Sequence, residues 1–185
     1  MGEGSGLSCP ATGWGPPAGD AHLVASILAR YPEIGALEYC PKSHQFTFTF
    51  LITATGLNMP AFRERFKESL HAYSFLTGQA VDLLIVDWVE EAGLTLLRIV
   101  RDLPTLRHEE ISLLIGLVRQ EFGDLLACEG AGPGLDADGA MQEELIQHML
   151  DDLRDAPRSR EVIGFRQEGR VVVFHRQPSP MKSRR

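Results

Sequence analysis

The sequence predicts an α+β fold, an antiparallel sheet of hairpins packed against helices. Two observations carry that expectation. Gly35–Ile52, Val81–Arg101 and Val162–Arg176 each read as strand, turn, strand. Met59–Leu76 and His108–Leu126 read as helices between them. Hairpins alternating with helices favour antiparallel pairing, because parallel strands need crossover connections.

The elements follow in order. Asp20 suits a helix N-cap, with Leu23, Ile27 and Leu28 on one face, and Pro32 and Gly35 end that helix. In the first hairpin Cys40-Pro41-Lys42-Ser43 fits a type I turn. After the turn, Phe46, Phe48 and Phe50 alternate with Thr47 and Thr49, a period of two that buries one face. Asn58 caps the next helix and Pro60 fits its first turn. Phe62, Phe66, Leu70, Tyr73 and Leu76 form its apolar stripe, and Gly78 stops it.

The second hairpin turns at Glu90-Glu91-Ala92-Gly93 and the third at Arg166-Gln167-Glu168-Gly169, each with glycine where a left-handed residue is needed. Leu83, Leu84, Ile85 and Val86 are apolar without alternation, the pattern of a strand covered on both faces by helices or by a second subunit. Thr105 is placed to cap the following helix. Its stripe holds Ile111, Leu114, Ile115, Val118, Phe122, Leu125 and Leu126, while Leu113 and Leu117 lie on another face and suggest a partner interface. A last helix over Ala140–Arg154 directs Leu145, Ile146, Met149, Leu150 and Leu153 inward. Without the first strand and this helix, the element order is that of a ferredoxin-like βαββαβ core.

With 185 residues the chain is expected to form one domain able to bury a core without disulfides or metals. Composition suggests a disordered tail over 1–19, a single domain over 20–177 with a flexible linker at 129–139, and a disordered basic tail over 178–185. No apolar run is long enough to span a bilayer, and the N-terminus lacks the basic and apolar regions of a secretory signal, so no membrane association and a cytoplasmic location are expected. Cys9, Cys40 and Cys128 form no CxxC pair, which argues against a zinc site or a disulfide framework.

The formal charge of −7 is unevenly spread. Residues 1–153 carry 9 Lys/Arg against 22 Asp/Glu, net −13, whereas residues 154–185 carry 9 against 3, net +6. Arg154, Arg158, Arg160, Arg166, Arg170 and Arg176 are therefore the candidate nucleic-acid contacts, or else exposed residues paired to the acidic body of the domain.

Other motifs fail on their chemistry. Asp136-Ala137-Asp138-Gly139 looks like part of a calcium loop, but Gly134 and Leu145 would stand where oxygen ligands are required. The glycines from Gly130 to Gly134 follow a helix rather than a strand and lack the GK[ST] ending of a phosphate loop. Glu144, His148 and Asp152 share a helix face, opposite the apolar stripe, with no second cluster to complete a metal site. The three phenylalanines lack the basic and glycine-rich flanks of a base-stacking platform. No Ser or Cys has the context of a nucleophile. No cofactor is expected. The sequence points to a non-catalytic regulatory or scaffolding protein acting through protein contacts, as a homodimer. The alternative is an RNA- or ribonucleoprotein-associated protein using the arginine-rich segment.

Overall fold

The computed structural model describes residues 19–128, 139–155 and 160–176. Residues 1–18 and 178–185 of the expected tails, residues 129–138 of the expected linker and Arg158 lie outside those residues, while Gly19 and Gly139, expected in the tail and the linker, are helical. The described chain is α+β. In order, it forms α1 (Gly19–Arg30), β1 (Ala36–Cys40), β2 (Gln45–Ile52), α2 (Met59–Thr77), β3 (Leu84–Glu91) and β4 (Leu94–Asp102). Then come α3 (His108–Phe122), α4 (Gly139–Asp155), β5 (Glu161–Gln167) and β6 (Arg170–Arg176). The strands form one antiparallel sheet in the order β3-β4-β2-β1-β5-β6. The ferredoxin-like core is not confirmed: β3, β4 and β2 are neighbours as it requires, but β1 lies between β2 and β5.

Turn chemistry sets the register. Ala92 (φ 50°) and Gly93 (φ 83°) link the paired Glu91 and Leu94, and Glu168 (φ 52°) and Gly169 (φ 73°) link Gln167 and Arg170. Two consecutive left-handed residues match the twist of the flanking strands, which is why two-residue hairpin loops adopt this form. The expected N-cap of α2 is present, with Asn58 accepting from the Ala61 amide at 3.2 Å. The expected cap of α3 is not. Thr105 is held by Asp102 instead, and α3 starts three residues later with no side-chain cap. Nor does α3 reach Leu126: it ends at Phe122, a short 3₁₀ turn spans Gly123–Leu125, and Leu126 bridges to Ile52.

The inner face of the sheet is the core. Cross-strand partners Val86, Ile99, Phe48 and Leu37 are all buried there, and each row beside them repeats the pattern. Helix α1 lies over β1, β5 and β6, while α2 lies against β3 and α3. Helix α4 contacts both α1 and α3. Gly164 explains how closely α1 approaches: a Cβ at that position would sit 2.5 Å from Val24 Cγ1 and 2.6 Å from Leu28 Cδ1. Three residues assigned inward from periodicity are exposed: Leu76 at the end of α2, Leu125 in the 3₁₀ turn and Leu145 on α4.

Two polar clusters tie the helices to the sheet. Arg101, at the end of β4, is fully buried, and its guanidinium donates to Glu110 on α3, to Asp102 and to the Leu83 carbonyl. Asp102 also accepts from the Leu83 amide at 2.9 Å and from the Thr105 amide at 3.1 Å. Burial alone would raise the Asp102 pKa, but the hydrogen bonds from Thr105 and Leu83 and the Arg101 charge outweigh it and hold the carboxyl below its ordinary value. The second cluster joins α1 to α3. The Tyr31 hydroxyl lies 2.8 Å from His108 Nε2 and 2.6 Å from Ser112 Oγ. The His108 amide donates to Gln147 of α4 at 3.0 Å. Burial pushes the His108 pKa below the ordinary imidazole value, a shift that Arg30 reinforces and that Glu143 and Glu109 oppose.

Two predictions follow from this packing. Phe48→Ala and Ile115→Ala, both in the buried core, are each expected to destabilise by about 2–5 kcal/mol, and Gly164→Ala by about 1–3 kcal/mol through overpacking. Denaturant midpoints check all three. For His108 the unfolded state binds the proton more readily than the folded state. Its stabilising contribution is therefore complete above the unfolded pKa, near about 6.5, and is lost as pH falls below that value towards the depressed folded pKa. Melting curves from pH 7.5 to 5 should fall less steeply for His108→Gln than for the wild type, and equal slopes would remove His108 as the cause.

Candidate functional site

The same alternation that fills the inner face leaves the opposite face uncovered among the described residues. Three rows of cross-strand neighbours build its centre. The first runs Ile85, Val100, Thr47, Glu38, Ile163, Phe174 and the second Asp87, Arg98, Thr49, Ala36, Phe165, Val172. The third begins Val89, Leu96, Leu51 and ends Gln167, Arg170, with no β1 residue between. Large apolar side chains thus collect in two lanes, one on β3 and β4 and one on β5 and β6. Thr47, Thr49, Ala36 and Glu38 separate them. Ile85 (44%), Val89 (46%), Leu96 (38%) and Phe174 (53%) are exposed to an extent that core residues of this sheet never reach.

The gap in the third row opens a cleft of about 280 Å³. Pairing of β1 with β2 stops at Ala36 and Thr49, and further along β2 the place of β1 is taken by Leu126 opposite Ile52. The Ala127 amide donates to the Leu51 carbonyl at 2.8 Å and the Thr53 amide to the Leu125 carbonyl at 2.8 Å. Between these two segments lie Gly35, Leu51, Leu96 and Ala127, with Arg166 on the wall. The Arg166 guanidinium donates to the Leu28 carbonyl at the end of α1, and its Nε is buried with no protein acceptor.

Charges on this face include Glu38 near its centre and Glu161, the cross-strand partner of Arg176. Asp87 and Arg98 form a two-pronged pair at 2.9 and 3.2 Å that neutralises both. Glu91 stands at one end of β3, and Arg170 and Arg176 at the two ends of β6; none of these three is in an ion pair among the described residues. Exposed apolar area of this extent is more than single scattered surface residues provide.

The residues singled out from sequence fall elsewhere or apart. Leu113 and Leu117 are half-buried and pack against the core, Leu117 beside Phe62 and Phe66. Arg154 is consumed internally, donating to the Leu103 carbonyl at 3.0 Å, to the Leu106 carbonyl and to Asp151. Arg166 is engaged as described. Arg160 and Arg176 are exposed near one end of the C-terminal hairpin, and Arg170 lies at the other end, about 20 Å away at the usual strand rise. The described arginines form no continuous stripe. On α4, His148 and Asp152 are exposed and 3.8 Å apart. Among the described residues no group of three His, Cys, Asp or Glu is placed to hold a metal ion. Burial raises the pKa of the Cys128 thiol, the opposite of what a nucleophile needs.

The outer face had one legible signal. Leu83–Val86 and Val171–Phe174 are apolar at consecutive positions, so each strand offers apolar residues to both faces. The β4 contribution, Leu94 and Leu96, was hidden because alternate positions look the same whichever face is buried. Comparisons of this chain with protein-family models, with curated proteins and with solved structures return no match.

Proposed function

We propose that this is a non-catalytic, cytoplasmic protein that acts through protein–protein contacts made by the outer face of its sheet, in a regulatory or scaffolding role. The supporting observation is the pair of exposed apolar lanes flanking the cleft, on a face over which no described helix lies. Soluble proteins rarely leave contiguous apolar surface of this kind unused. No described helix is long and apolar enough to cross a membrane. The reading is independent of whether the β2, β4 and β3 portion descends from a ferredoxin-like unit. It moves the contact surface from Leu113 and Leu117 to Ile85, Val89, Leu96 and Phe174. The nucleic-acid alternative is weakened by the internal bonds of Arg154 and Arg166.

Self-association at micromolar concentration is the expected behaviour, read by sedimentation velocity. Leu96→Glu combined with Phe174→Glu should abolish it and leave the melting temperature nearly unchanged, because both side chains are exposed. Leu113→Glu combined with Leu117→Glu should instead lower the melting temperature by several degrees, since charges would be forced against the core. Association that survives the first pair and is lost with the second, at unchanged stability, would return the interface to α3.

A further inference from the structure

Resting on that reading of the outer face, we infer that its occupant is a second copy of this chain. The twofold axis would run parallel to the strands, between β2 and β1, so that β3 of each copy lies over β6 of the other. Three features of the surface converge on this arrangement.

The first is its lane pattern. The apolar lanes stand on either side of the line between β2 and β1, with small and polar residues along that line. Rotation about an axis on that line lays the β3–β4 lane of one copy on the β5–β6 lane of the other. Ile85 and Val100 then face the partner's Phe174 and Ile163, Val89 and Leu96 face the stems of the partner's Arg170 and Gln167, and the row of Thr47 and Glu38 meets itself reversed. Glu38 falls over the partner's Thr47, whose hydroxyl can donate to it.

The second is charge. Beside the Asp87–Arg98 pair, β3 carries Glu91 on this face, whereas β6 carries Arg170 at one end and Arg176, across from Glu161, at the other. A twofold axis perpendicular to the strands would place β6 on β6 and set Arg170 against the partner's Arg176. The strand-parallel axis pairs acidic with basic ends, and electrostatic matching of this kind selects orientation more than it adds affinity. In the row register Arg170 shares its level with Val89, one step from Glu91, so an arginine side chain reaches the opposing carboxylate.

The third is closure. Antiparallel sheets stack face to face about 10 Å apart with strands within about 30° of parallel, a spacing that Phe174, Phe165 and Leu96 can fill. The same charges could join β3 of one copy to β6 of the next edge to edge. That contact is head-to-tail and propagates into filaments, and it leaves the apolar lanes exposed. The face-to-face pairing is self-complementary and stops at two.

The test uses the full chain with Cys9, Cys40 and Cys128 replaced by Ser. Adding Glu91→Cys together with Arg170→Cys should yield a covalent dimer with a bifunctional thiol cross-linker long enough to span the ~10 Å between stacked sheets, and either cysteine alone should yield little. The two positions lie at opposite edges of the six-stranded sheet, about 20–25 Å apart at the usual strand spacing, about twice the gap between stacked sheets and too far for the same linker within one chain. In parallel, Glu91→Arg should weaken dimerisation by roughly tenfold, and adding Arg170→Glu should restore it. A covalent dimer from Glu91→Cys alone would overturn the axis, although the outer face would remain the interface. A ladder of larger oligomers would overturn closure in favour of edge pairing. A wild-type monomer at all concentrations overturns the dimer. If Leu96→Glu then still abolishes binding to another protein, the reading of the face stands, and if it does not, both fail.

Discussion

Arg101 imposes the constraint around which the rest of the molecule is arranged. A guanidinium removed from water is costly unless acceptors surround it, and here they come from three different segments: Glu110 on α3, Asp102 beside it, and the Leu83 carbonyl before β3. Satisfying one side chain therefore fixes the start of the edge strand, the loop after β4 and the start of α3 on the inner face. Asp102 and Thr105 complete the set, which is why the helix that Thr105 could have capped begins later. Removing one partner of such a group typically costs about 3–5 kcal/mol, because the remaining charge is left unanswered.

With α3 pinned there and α1 drawn onto Gly164, the described helices gather on one face. Among the described residues the result is an asymmetric layer structure, with helices on one face of the sheet and none on the other. An ordinary two-layer α+β domain keeps its open sheet face polar, and the alternation of Phe46, Phe48 and Phe50 with Thr47 and Thr49 does this in the middle strand. The outer strands do not. Their apolar lanes lie on the face away from the described helices, the surface proposed above for contact with a second copy.

The α+β class, the hairpin turns and the buried faces of β2 and α3 could be read from the sequence because each rests on local periodicity or on a residue that suits one backbone conformation. Gly93 and Gly169 identify their turns unaided. Leu76 and Leu145 were misplaced because a helical stripe says which side chains share a face, and not how far along the helix the core extends. The Arg101 cluster was invisible, since its members come from separated segments and look like ordinary surface charges. Leu113 and Leu117 were rightly seen as lying off the main stripe, but α2 and the core cover them. The outer lanes needed strand order, because Phe174 and Ile85 become parts of one surface only when the register is known.

The strand order also says something about the history of each molecule as it is made. Helix α1 packs on β5 and β6, and β1 pairs with β5, so elements near one end of the described chain wait for those near the other. Until the C-terminal hairpin emerges, β1 is a bare sheet edge and Val24 and Leu28 of α1 lack the floor that Gly164 provides, although β1 and α4 already offer α1 other contacts. Contacts this distant in sequence form slowly and leave sticky intermediates exposed. A nascent chain stalled before residue 160 would thus present a hydrophobic edge and a hydrophobic helix together, the features that holding chaperones bind.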